Sequence, residues 1–198
     1  MKKLFLTAAV AVSSLTFAQQ FGAKAGMNVS TISDEGFDDT KSKVGYYAGV
    51  FMNVPVSESF SIQPEVLYNN LGSKVSSTVS GTTYSSTLNL DYVAVPVMFQ
   101  YKATPQFYLE AGPEFGFLVN AKQKFDNGSS SIVTELDKED FNSFNMGVGL
   151  GLGFDISKNV GLNARYVAGF SDITKKSGPS TDANNKNNAF QVGLNIKF

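Results

Sequence analysis

The 198-residue sequence contains no cysteine, no histidine and no tryptophan. Without cysteine there is no disulfide framework and no thiolate metal site. Without histidine the commonest general base and the commonest transition-metal ligand are missing, and the usual hydrolase triads with them. No catalysis, cofactor or metal is expected. The net charge is −1, from 16 basic and 17 acidic residues, so no polybasic footprint points to nucleic acid. Beyond the first twenty residues no apolar run approaches the ~20 residues of a membrane-spanning helix.

What is present begins with "MKKLFLTAAVAVSSLTFAQQ". Lys2 and Lys3 precede a short apolar stretch, Leu4 to Phe17, which ends at the small residue Ala18. That order predicts a secretory signal peptide over 1–18 and a mature domain over 19–198. Losing Lys2 and Lys3 takes the net charge from −1 to −3.

The mature sequence alternates with a period of two, the mark of strands with one apolar face. At the end, Phe190, Val192, Leu194, Ile196 and Phe198 share one parity, and Gln191, Gly193, Asn195 and Lys197 the other. The pattern recurs over 21–31, 44–54, 60–70, 89–101, 107–120, 144–154 and 160–170, least cleanly in 89–101. In 144–154, "FNMGVGLGLGF", Gly147, Gly149, Gly151 and Gly153 occupy four successive positions of one face. The linkers at 55–59, 102–106 and 155–159 are short. Those near 32–43, 71–88, 121–143 and 171–188 are long and polar. An even number of ~10-residue strands with short turns at one end and long loops at the other predicts an all-β fold. Specifically, the pattern predicts an eight-stranded antiparallel up-and-down transmembrane β-barrel.

A soluble eight-stranded barrel would carry charge on its polar face. Here that face is mostly Gly, Asn, Ser and Gln. The apolar face lacks charge over its middle and carries aromatic residues near both ends: Phe60 and Tyr68, Phe107 and Phe117, Phe144 and Phe154. The membrane reading is preferred, with lipid outside and two aromatic girdles. Pro64, Pro96 and Pro113 fall inside strands, where proline cannot donate to a ladder, and bulges are expected there.

The segments "FSIQPEVLYNN", "LDYVAVPVMFQYK", "FYLEAGPEFGFLVNAK", "NARYVAGFSDI" and "FQVGLNIKF" together resemble the PorT-like outer-membrane β-barrel family of Bacteroidota. The resemblance covers nearly the whole mature chain. It implies an eight-stranded barrel in the outer membrane, surrounded by outer-membrane lipid. It also implies that the terminal Phe198 is the aromatic signal read by the barrel-assembly machinery. Where family members often read Tyr-x-Glu-x-Pro, this chain has Tyr92, Ala94 and Pro96, so one lumen carboxylate is absent. The family's namesake takes part in a protein-secretion and gliding apparatus.

On the polar face, Lys24, Glu65, Glu110, Glu114, Arg165 and Lys197 are the candidate lumen network. Counting from the short turns places Glu65, Arg165, Glu110 and Glu114 near mid-height. Such a set reads first as a structural plug of ion pairs, because eight strands enclose just enough room for side chains. An ion-selective constriction is the second reading. Glycoside chemistry by Glu110 and Glu114 is disfavoured, because both lie on one strand. The expected role is structural or accessory. The alternatives are a narrow pore, and binding or adhesion to an unknown protein partner through the long loops. A monomer with both termini in the periplasm is expected.

Overall fold

The computed structural model describes residues 19–33, 40–79, 82–128, 130–138, 141–173 and 185–198. The signal-peptide assignment to 1–18 lies outside them. The elements are β1 (Gln20–Ser33), β2 (Thr40–Pro55), β3 (Phe60–Val79), β4 (Thr82–Lys102), β5 (Phe107–Asp126), β6 (Ser131–Glu135), β7 (Phe144–Asp155), β8 (Val160–Gly169) and β9 (Lys186–Lys197). Every neighbouring pair is antiparallel, and β1 pairs with β9, so the first and last strands close the wall.

The register can be followed around this wall. Val54 faces Ile62, then Phe99, Ala111, Leu150, Tyr166, Phe190, Val29 and finally Val44. The circuit returns to β2 ten residues from its start, as Val54 and Val44 show. Eight strands with that stagger must tilt by about 40° and enclose a space that side chains fill.

The wall is apolar outside and polar inside. Leu150 is 66% exposed and Val50 57%, whereas Arg165 and Glu65 are each 2% exposed. Among the described residues, no Asp, Glu, Lys or Arg projects outward between the two aromatic rings. At the short-turn end Phe60 meets Tyr101 with ring centroids 5.0 Å apart. At the long-loop end Tyr46 stacks on Tyr68 at 6.1 Å, and Phe117 meets Phe144 at 5.5 Å.

Two sequence expectations are corrected. The prolines produce no bulges: the register on either side of Pro64, Pro96 and Pro113 is unbroken. Each pairs on one side, with Val97, Glu114 and Val148 respectively, and lacks a ladder partner on the other. The missing N–H therefore falls on a seam that simply skips a bond. The register shifts lie between Ser42 and Tyr47 on β2 and between Asp91 and Tyr92 on β4. Both sit near the long-loop end, where Lys43, Asn70, Asp91 and Asn120 form a hydrogen-bonded chain across four strands.

The second correction concerns length. The stretch 71–88 is not a loop. β3 and β4 continue as a ladder from Leu71 opposite Leu90 to Val79 opposite Thr82. β5 follows them to Asp126, and the hairpin strand β6 adds to its edge. Four strands, β3–β6, thus run on past the upper aromatic ring, with Thr40–Ser42 of β2 paired along β3. Its many Thr, Ser and Val residues suit a strand as well as their polarity suits a loop, and pairing decided between them.

Candidate functional site

The side chains of the inward parity meet across the lumen. Arg165, from β8, donates from Nε to Glu110 Oε1 at 2.7 Å. Its two terminal nitrogens grip Glu65 of β3 at 3.0 and 2.8 Å. Lys24 of β1 donates to Glu65 Oε1 at 2.9 Å, and Gln63 does so at 2.8 Å. Gln100 donates to Glu110 Oε2 at 3.0 Å, while Asn53 donates to the Gln100 carbonyl oxygen at 2.8 Å. Two cations and two carboxylates therefore share one buried network in which every charged group has a partner. The bidentate fork fixes Arg165 between two partners, a geometry that lysine cannot reproduce.

Room for this network comes from the glycine face of β7. A Cβ built on Gly151 would lie 3.0 Å from Glu110 Oε1, and one on Gly149 would lie 3.3 Å from Arg165 Cδ. Gly153 is tighter: its Cβ would stand 2.1 Å from the Tyr108 ring. Small residues face large ones, as a narrow lumen requires.

Two candidate residues lie elsewhere. Lys197 pairs with Asp155 at 2.7 Å near the short turns. Glu114 sits two repeats of the pleat beyond Glu110, more than nine-tenths buried, and its Oε2 has no hydrogen-bond partner among the described residues. Phe198 lies at the short-turn end, its N–H bonded to the Phe21 carbonyl.

Farther toward the long loops the lumen changes character. Leu71, Leu90, Tyr92, Ala121, Phe141, Ile173 and Ala189 form a buried apolar cluster, with Ile32, Leu88, Leu118 and Leu136 against it. Phe141 and Ile173 come from connections, not from wall strands, and Asn142 N–H binds the Ile173 carbonyl. The sequence reading missed this layer. Its signal was the parity of 88–92: Leu88, Leu90 and Tyr92 are apolar on the inward parity, while Asn89 and Asp91 on the other parity are polar.

Among the described residues, no group of three or more His, Cys, Asp and Glu side chains is placed to hold a metal ion. A closed wall with lipid-compatible exterior, aromatic rings at both rims and a plugged polar interior is the architecture of a membrane β-barrel. A model of the outer membrane protein beta-barrel domain matches residues 17–175. The chain belongs to that family. Family membership places it in the outer membrane. Among solved structures, it is similar to Ail, the attachment invasion locus protein of Yersinia pestis. Identity is 15%, with 90% of this chain and 98% of that one covered, at a TM-score of 0.53. Neisserial surface protein A is similar at 15% identity, covering 90% and 97%, with a TM-score of 0.51. These likenesses bear on the fold. No curated protein sequence is significantly similar to the chain.

Proposed function

We propose an accessory, non-conducting role, in which the barrel anchors a binding surface that projects from the outer membrane. The observation that carries this reading is the sheet β3–β6 beyond the upper aromatic ring. Val75, Ser86, Phe125 and Ile132 stand in one register row across its four strands, on the face that continues the lumen wall. With Tyr84 they line a cavity of about 290 Å³. Tyr84 is 50% and Phe125 48% exposed. Apolar surface gathered on a sheet outside the lipid band marks an interaction site.

The pore alternative is disfavoured by the paired ionic layer and the apolar cluster, which lie in series across the lumen. The contrast of short turns and long loops supports short turns and both termini in the periplasm. The closed wall leaves no strand edge within the lipid band, which supports a monomer. The signal peptide 1–18, recognition of Phe198 by the assembly machinery and placement in the PorT-like branch belong to the same proposal, on the sequence segments quoted above. Ail is named for attachment; in this chain the projecting sheet β3–β6 carries the apolar surface.

The absence of native cysteine makes the test direct. On intact cells, Tyr84→Cys should react with a membrane-impermeant maleimide and Ser157→Cys should not. A photo-crosslinker at Phe125 should capture a partner that one at Ser157 does not. Labelling at Ser157 alone would invert the barrel, and stepwise conductance of the wild type in planar bilayers would restore the pore.

A further inference from the structure

Between the ionic layer and the apolar cluster lies a small cavity that neither layer explains. It is lined by Asn69, Tyr92, Glu114, Asn145, Val167 and the glycines Gly116 and Gly147, among others, and its volume is about 20 Å³. That is room for one occupant of a water molecule's size. Glu114 Oε2 borders it without a hydrogen-bond partner among the described residues, and so do both amide atoms of the fully buried Asn69.

Charge adds a second, independent observation. Among the described residues, the buried cations are Lys24, Lys43 and Arg165, and the buried carboxylates are Glu65, Asp91, Glu110 and Glu114. Lys24 and Arg165 are taken by Glu65 and Glu110. Lys43 donates to Asn70, which in turn donates to Asp91. Among the described buried carboxylates Glu114 is the one left over, and its cavity also holds the unpartnered amide of Asn69.

We propose that this cavity binds one small monovalent cation, of the size of sodium or potassium. The donors are hard oxygens: the Glu114 carboxylate and the Asn69 amide oxygen, with the Tyr92 hydroxyl on the same wall. Hard oxygen donors suit such ions, and one carboxylate matches one positive charge. A divalent ion would bring a charge that no second free carboxylate offsets. A neutral water would satisfy the amide but leave the buried carboxylate charge uncompensated, which is costly. The site rests on the lumen alone and is independent of the surface-binding reading.

The test uses the full mature barrel, refolded from urea into detergent micelles in chloride salts of sodium, potassium or N-methylglucamine at one ionic strength. The folded fraction is read by heat-modifiable gel mobility. The wild type should unfold at higher urea in sodium or potassium than in N-methylglucamine. Above half-saturation, each tenfold rise in the small cation should raise the folded-to-unfolded ratio about tenfold. Glu114→Gln should fold and lose this dependence, and Asn69→Ala should move it to higher concentration. Equal midpoints for the wild type in all three salts would overturn the site. So would an unchanged dependence in Glu114→Gln, or a Glu114→Gln barrel more stable than the wild type in every salt, which would mark a carboxyl held as the neutral acid. Should Glu114→Gln fail to fold, sodium-23 relaxation on the wild type decides: one exchangeable bound ion per chain supports the site, and none overturns it.

Discussion

The two ends of the lumen solve the same packing problem with opposite chemistry. Toward the short turns, Lys24, Glu65, Glu110 and Arg165 fill the space with charges that all have partners. Toward the long loops, Leu71, Leu90, Phe141 and Ile173 fill it with hydrocarbon. The charged layer is held by strands alone, each contributing at a fixed register. The apolar layer recruits Phe141 and Ile173 from connections. Ion pairs buried this way add little net stability over an apolar core, but they tolerate no missing partner. An apolar layer loses only the volume that is removed.

That contrast orders the expected effects. Arg165→Met removes the shared partner of two buried glutamates and should cost about 3–5 kcal/mol in urea unfolding from micelles. Adding Glu110→Gln to it, which leaves Lys24 paired with Glu65, should recover most of the loss. If the double variant were no better than the single one, the damage would be steric and the ionic account of this layer would fail. In the apolar layer, Leu90→Ala should cost about 3 kcal/mol, with no comparable rescue by a second polar substitution. A loss well below 1 kcal/mol would mean that the cluster does not pack as a core.

The glycine wall gives the next smaller effect. Gly149→Leu overfills the lumen against Met98 and Arg165 and should cost roughly 1–3 kcal/mol, or slow refolding correspondingly. Its neighbour Leu150 faces lipid, so Leu150→Ile should shift the midpoint by only about 0.5 kcal/mol or less. Equal effects at 149 and 150 would reverse the inside–outside assignment of β7.

Much of this was legible before any pairing was known. The alternation of 190–198, 44–54 and 144–154 assigned lipid and lumen faces correctly, because side-chain direction along a strand is a local property. The short turns near 55–59, 102–106 and 155–159 were also plain. Three features were not. The projecting part of β3 and β4 looked like a loop, because Ser and Thr serve both structures. The prolines suggested bulges, although each needed only one seam that lacks a bond. Glu114 looked like a member of the network because it shares a strand and a face with Glu110, yet the two stand at different levels.

By itself, then, the sequence determined which side of the wall each residue faces and where the chain turns back. Both follow from a period of two and from turn chemistry, and neither depends on distant residues. Only the tertiary structure decided which inward residues meet. Lys24, Glu65, Glu110 and Arg165 lie on β1, β3, β5 and β8, none of which is another's hydrogen-bonded neighbour. Their contact is made across the lumen, at a height set by the ten-residue stagger that returns Val54 to Val44. That stagger is a property of the closed ring, and no single strand encodes it.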